Sequence, residues 1–259
     1  IVIESILTTL INVIGSVKAI YKYSKDLEYY ATRDPLTNLF NQRMFRELIH
    51  YEVGRAKRHG YRFALFMIDF DNFKLINDSY GHEFGDRFLQ TFADVIQGSC
   101  REEDIVARYG GDEFAIVLPE ADMEQAYLVA GKMREAIESH LLTSPSGEQV
   151  YATISLGVAV YPDHGRDEKE LFLIADNMMY KAKKQGKNRV VMPSEEDVAE
   201  TFRNAEQMGE MVMQTLERRT ILPYFQPIME VSSRSIHLHE LLMRIEYNGL
   251  MHSAASFIE

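Results

Sequence analysis

The run Phe63-Ala-Leu-Phe-Met-Ile-Asp69 constrains the fold more than any other stretch of the chain. A short apolar run of this kind suits a buried strand. It ends on an acid, and a carboxylate at the end of a buried strand is costly unless it is paired or holds a metal. A second acidic pair, Asp112-Glu113, follows Gly110 and Gly111. Tyr109-Gly-Gly-Asp112 reads as a hairpin turn between strand-like Ile105–Arg108 and Phe114–Leu118. If that hairpin packs beside the first strand, Asp69 and Asp112 converge. Carboxylates so placed hold Mg2+, completed by water and substrate phosphates. Lys74 would then offer a point charge to phosphate. The two glycines permit torsions and close ligand approach that a side chain would obstruct. On spacing alone, Asp69 with Asp71, and Asp112 with Glu113, could be exposed turns.

The rest of residues 31–193 alternates strands and helices. Gly81–Gln97 has helical periodicity through Phe84, Phe88, Leu89, Phe92 and Ile96. Met123–Leu142 and Lys169–Lys184 are expected helices, the latter closed by Gly186. Tyr151–Val160 and Asn188–Met192 are expected strands. This pattern points to an α/β (α+β) domain, a mixed sheet with helices on one face. Ahead of it, Ile3, Leu7, Leu10, Ile14, Val17 and Tyr21 form an a/d seam within residues 1–30, the pattern of a parallel coiled-coil or signalling helix. The alternatives are a helix packed on its own domain and the remnant of a membrane span. The longest uncharged run within residues 1–30, Ser5–Val17, has 13 residues, against about 20 needed to cross a bilayer. Residues 194–219 read as a polar helical linker, and residues 220–259 open a new strand-like unit. Neither end carries a start or closing signal, so the chain reads as a fragment of something longer.

Composition removes several classes of function. With 28 Lys+Arg against 39 Asp+Glu, the net charge of −11 argues against a nucleic-acid coat or a polybasic membrane-surface protein. The single cysteine, Cys100, excludes an intramolecular disulfide scaffold and a Cys-rich zinc site. A local positive patch survives at Lys181–Arg189, which holds five basic residues and no acid. For Lys181 and Lys184 a solvated helix end is sufficient explanation.

Arg108-Tyr-Gly-Gly-Asp-Glu-Phe114 resembles the signature of GGDEF domains, the diguanylate cyclases. The likeness extends in order through Asp34-Pro-Leu-Thr37, Asp69-Phe-Asp-Asn-Phe-Lys-Leu-Ile-Asn-Asp78 and Tyr80-Gly-His-Glu-Phe-Gly-Asp86. It continues through Thr153-Ile-Ser-Leu-Gly-Val158, Ala175-Asp176, Met179-Tyr-Lys-Ala-Lys183 and Gly186-Lys-Asn-Arg189. The resemblance covers about residues 31–193. It implies a nucleotidyl-cyclase-like fold, a mostly antiparallel central sheet flanked by helices. It also implies a reaction of bacterial second-messenger signalling, in which two GTP condense to cyclic di-GMP with loss of two pyrophosphates.

By matched position, the resemblance makes Asp69, Asp112 and the backbone carbonyl of Phe70 ligands for Mg2+ or Mn2+. Glu113 becomes an active-site acid, either a further ligand or the proton acceptor. Lys74, Lys183 and Lys187 face the triphosphate, with Gly111 at the substrate. The family usually has Arg where Lys187 stands, so a bidentate contact becomes a point charge and activity is expected to be weaker. Asn77 and Asp86 match the guanine-reading pair; without the resemblance, Asn77 would read as a turn cap. Arg101-Glu-Glu-Asp104 resembles the family's R-x-x-D product-inhibition site, although such a string by itself is commonly a surface ion pair. Asn38 replaces a usual Gly, a tolerable change because Asn also adopts left-handed torsions.

The tail, Leu222-Pro-Tyr-Phe-Gln-Pro-Ile228 with His239-Glu240-Leu-Leu-Met-Arg244, resembles the start of an EAL phosphodiesterase domain, with Glu240-Leu-Leu in place of E-A-L. About 39 residues are far fewer than the ~250 of a complete barrel, so no hydrolysis is expected from this chain. The expectation is a homodimeric, cytoplasmic diguanylate cyclase taking GTP and inhibited by cyclic di-GMP, binding no nucleic acid, with a sensor or membrane segment upstream. The rival is a regulatory module that binds GTP or cyclic di-GMP and controls a downstream phosphodiesterase.

Overall fold

The computed structural model describes residues 14–23, 25 and 29–253. Ile3, Leu7 and Leu10 of the expected seam lie outside them. Ile14, Val17 and Tyr21 are helical and exposed. No described helix is long and apolar enough to cross a membrane. The chain divides into two compact units, residues 1–194 and 195–259.

The first unit is built on six strands: β1 (Phe40–Asn41), β2 (Phe63–Phe70), β3 (Ile105–Gly110), β4 (Glu113–Leu118), β7 (Ile154–Tyr161) and β8 (Arg189–Val191). They run in the order β1-β3-β4-β2-β7-β8. The edge pairs β1–β3 and β7–β8 are parallel, and the three inner pairings are antiparallel. The apolar run is therefore a central strand, and every residue of β2 except half-buried Asp69 is buried.

Its helices are α1 (Gln42–His59), α2 (Phe73–Tyr80), α3 (His82–Gly98), α4 (Met123–Ser139) and α5 (Glu168–Lys184). Ala64, Phe66, Ile68 and Phe70 of β2 share a core with Phe88, Phe92 and Ile96 of α3 and Ala126, Ala130, Met133 and Ile137 of α4. The opposite face is covered by α5. A Cβ at Gly157, the β7 residue paired with Met67, would lie 2.0 Å from the Ala175 carbonyl oxygen, so that helix sits almost on the strand backbone. Helices thus flank both faces, correcting the one-faced packing expected from the pattern. A strand apolar at consecutive positions leaves no face for water, so both must be covered.

Several boundaries differ from the periodicity. The segment after β2 forms its own helix, α2, which Gly81 at φ 84° separates from α3. α4 stops at Ser139; Leu141–Thr143 (β5) and Gln149–Tyr151 (β6) make a small hairpin, and β7 starts only at Ile154. The turn residues Pro145 and Gly147 between β5 and β6 account for the break. The second unit holds α6 (Glu195–Arg218) and an antiparallel sheet of β9 (Ile221–Met229), β10 (Ile236–Tyr247) and β11 (Leu250–Ser253). Glu240 is exposed on β10, opposite Gln226.

Candidate active site

The site forms where β2 ends. Asp69 is paired in register with Glu113, the first residue of β4, so the two carboxylates lie side by side on the α5 face of the sheet. The two-residue turn Gly111-Asp112 carries the third acid beside them. Gly111 has φ 50°, a left-handed torsion that costs glycine nothing. Arg108 braces this turn: its Nε donates to the Gly111 carbonyl at 2.9 Å, and its Nη1 reaches both Asp34 oxygens at 3.2 Å. Asp34 Oδ1 also accepts from the Thr37 amide and hydroxyl, at 2.9 and 2.8 Å. Although burial opposes ionisation, the Thr37 hydrogen bonds and the Arg108 charge hold the Asp34 carboxyl below its usual range.

Lys183, from the last turn of α5, places its ammonium 2.8 Å from Asp69 Oδ2. Even so, the acids are poorly offset. Burial pushes the Asp69 carboxyl up, the Lys183 hydrogen bond opposes this, and the charges of Asp112 and Asp71 add to it. Glu113 is pushed up by burial first, then by Asp69 and Asp176, with Lys183 opposing. Asp176 lies two helical turns before Lys183 on α5 and lines a cleft of about 580 Å³ with Tyr109 and Phe172. Among the described residues, no three His, Cys, Asp or Glu side chains are arranged to hold a metal ion. The donor chemistry still suits a hard cation, since the carboxylates are near enough to raise one another's pKa and one of them already holds a protein ammonium.

Phe70 is buried, and its amide donates to the Asp112 carbonyl at 3.4 Å, tying strand end to turn. Lys187 donates to Asn72 Oδ1 at 2.5 Å. Lys74 is exposed in the first turn of α2. Asn77, on α2, lies directly against Gly85 of α3, where an added Cβ would fall 1.9 Å from Asn77 Oδ1. Asp86 is the next residue and is exposed. Arg101 and Asp104 sit apart, on the loop between α3 and β3. Asp104 Oδ2 accepts from the Arg101 amide at 2.7 Å, while the Arg101 guanidinium, 71% exposed, stands 3.9 Å from Glu103. The two are joined through the main chain, leaving the guanidinium turned outward. Burial raises the Asp104 carboxyl despite the Arg101 amide and charge.

Sequence reasoning assigned no role to Asp71, Asn72, Gly85, Asp176 or Asn188. All five fall inside the matched motif blocks, and Asp71 stood out further as a second acid two residues beyond Asp69.

Residues 31–189 match the family described as diguanylate cyclase, GGDEF domain. The chain belongs to the GGDEF family. It is 38% identical over 157 residues to diguanylate cyclase DosC of Escherichia coli, covering 61% of this chain and 34% of that protein. It is 32% identical over 224 residues to the bifunctional diguanylate cyclase/cyclic di-GMP phosphodiesterase MucR of Pseudomonas aeruginosa, covering 86% of this chain and 32% of that protein. A crystal structure of the coiled coil and GGDEF domain of DgcB from Caulobacter crescentus in complex with c-di-GMP is similar with TM-score 0.67 and 28% identity. The match covers 73% of this chain and all of that one. The chain spans between about a third and a half of the length of the first curated relatives it matches.

Proposed function

We propose that the first unit condenses two GTP into cyclic di-GMP with release of two pyrophosphates. The observation that carries this reading is the meeting of Asp69, Asp112 and Glu113 with Lys183 at the end of β2. In each half-reaction the 3′-hydroxyl of one GTP attacks the α-phosphate of the other; the new P–O bond replaces the bond to pyrophosphate. Asp69, Asp112 and the Phe70 carbonyl are the residues to hold Mg2+ or Mn2+, which offsets charge on the phosphates. Glu113, its carboxyl raised by burial and Asp69, is suited to accept the hydroxyl proton. Lys74, Lys183 and Lys187 meet the triphosphate, with Gly111 leaving room for it. Asn77 and Asp86 read guanine: a carboxylate accepts from its N1–H and amino group, whereas adenine leaves the carboxylate poorly paired.

Each domain presents one nucleotide, so the reaction needs two copies; the Ile3–Tyr21 seam is the proposed dimeriser, and the coiled coil named for the DgcB structure supports it. Arg101 and Asp104 form a product-inhibition site. We place the domain in the cytoplasm and read residues 220–259 as the start of an EAL domain. The MucR match supports that reading, because 224 residues is more than the GGDEF region contains. The rival reading is a nucleotide-bound GGDEF unit that regulates a following phosphodiesterase.

The test is incubation with GTP and Mg2+, followed by detection of cyclic di-GMP and pyrophosphate. Asp112→Asn is expected to abolish product. Normal turnover in that variant refutes the site, and GTP binding without turnover in the wild type leaves only the regulatory role.

A further inference from the structure

We propose that Asp71 is a positioning residue for Lys187, acting through Asn188, and that Asn72 completes the clamp. This rests on reading Lys187 as a phosphate contact. Two turns meet here: the one leaving β2 (Asp71-Asn72) and the one leaving α5 (Lys187-Asn188). Lys187 and Asn188 are consecutive residues in left-handed torsions, with φ 63° and 47°. Residues with a Cβ avoid that region, and two in succession need outside support.

The support comes from Asp71. Its Oδ2 accepts from the Asn188 amide at 2.9 Å and from the Thr153 hydroxyl at 2.8 Å, and its Oδ1 accepts from the Ser155 hydroxyl at 2.7 Å. Both oxygens are thus committed to the chain itself, which distinguishes Asp71 from Asp69 two residues earlier. Asn72, itself at φ 62°, accepts from the Lys187 ammonium at 2.5 Å. From the far side, the Asn188 side chain accepts from Arg134 at 3.1 Å and donates to Glu138 at 2.7 Å. The Lys187 amide donates to Ala182 at 3.0 Å, continuing the turn from α5. The β2–β7 ladder is complete without Asp71, running in register from Phe63 to Phe70. Its bonds to Thr153 and Ser155 anchor the carboxylate at the start of β7, and its bond to the Asn188 amide fixes the turn that aims Lys187 against that anchor.

The experiment uses the full chain, with 3′-deoxy-GTP, which lacks the attacking hydroxyl, and GMP as calorimetric probes, together with steady-state turnover of GTP. Asp71→Asn keeps the shape, and its amide can donate to the Ser155 hydroxyl, but the charge on the acceptor of the Asn188 amide is lost. It is expected to weaken 3′-deoxy-GTP binding and raise the KM for GTP about tenfold, the size of one lost charge-assisted contact. GMP affinity, which depends on the base-reading end, should change less than about twofold. Lys187→Met should give the same phosphate-selective loss, and the double variant should be no worse than either single one. Asn72→Gly, which keeps the left-handed turn open to the chain, should show a smaller loss of the same kind and provides the test if Asp71→Asn does not fold. Equal losses for both probes, no loss for either, or full additivity with Lys187→Met overturns the proposal. A wild type that binds 3′-deoxy-GTP yet makes no cyclic di-GMP refutes the cyclase reading while leaving this one standing. A wild type that binds no 3′-deoxy-GTP overturns both.

Discussion

Gly85→Ala separates base recognition from folding. Gly85 is buried in the first turn of α3, and a Cβ there would stand 1.9 Å from Asn77 Oδ1, 3.0 Å from its Cγ and 3.4 Å from Phe73 Cζ. To restore ordinary contact, the Asn77 amide must withdraw by more than ~1 Å. A hydrogen bond to guanine does not survive such a shift, and a donor or acceptor left unpaired in a closed site costs about 1–3 kcal/mol. The KM for GTP should therefore rise about 5- to 150-fold, and preference for GTP over ATP should shrink. The backbone change acts in the opposite direction. Alanine is favoured over glycine in a helix by about 0.5–1 kcal/mol, and half-buried Asn77 can rotate outward, so the melting temperature should hold or rise. The assay is cyclic di-GMP formation against GTP concentration, beside a thermal scan. A variant with intact stability and unchanged KM would refute the assignment of Asn77 to the base.

Arg101→Ala removes an outward-facing guanidinium. It is expected to weaken cyclic di-GMP binding about tenfold by calorimetry and to raise product accumulation; unchanged binding removes the inhibition site. Glu113→Gln should lower turnover while raising the melting temperature at pH 8. The folded-state pKa of Glu113 lies above its unfolded value, so the native protein binds more protons between the two, and ionisation through that window destabilises the fold. The stabilisation by Gln should accordingly be present above the window and vanish below about pH 4; a gain independent of pH refutes this origin. His164 is buried and accepts from the Val160 amide at 2.9 Å, and burial holds its pKa below the ordinary value. Stability should be full above about pH 6.5 and fall as pH drops through the folded-state pKa. His164→Gln, which keeps an acceptor, should flatten that acid limb in a melting-temperature series.

The sheet was legible where burial alone dictates structure. Phe63–Ile68 read as a buried strand, and the Gly-Gly-Asp turn placed β3 beside β4. What failed was local. The break between α2 and α3 depends on a left-handed Gly81, and the end of α4 at Ser139 depends on a hairpin whose turn residues lie beyond it. Neither alters the helical period of the flanking apolar residues. The helix layer on the second face was missed as well, although the unbroken apolarity of β2 requires it and carries more information about layering than the order of elements does.

The site was legible as residue types and much less so as partners. Asp69 and Asp71 are both acids at one strand end, yet only Asp69 belongs to β2, and Asp71 sits in the turn beyond it. Asp69 faces Glu113 and Lys183, and Asp71 turns to Thr153, Ser155 and the Asn188 amide. Only the register of β2 with β7 and the torsions at residues 187–188 separate the two roles, and both are tertiary facts. The Lys183–Asp69 pair carries the same lesson into energetics. A lysine expected at phosphate is held by a carboxylate expected at a cation, at 2.8 Å. For Asp69 to hold a cation and Lys183 to meet the triphosphate, this pair would have to open, freeing the carboxylate and the ammonium together. Neither ligand alone leaves all charges paired, so binding of nucleotide and of divalent cation should each strengthen the other. A GTP affinity independent of Mg2+ concentration would contradict that coupling.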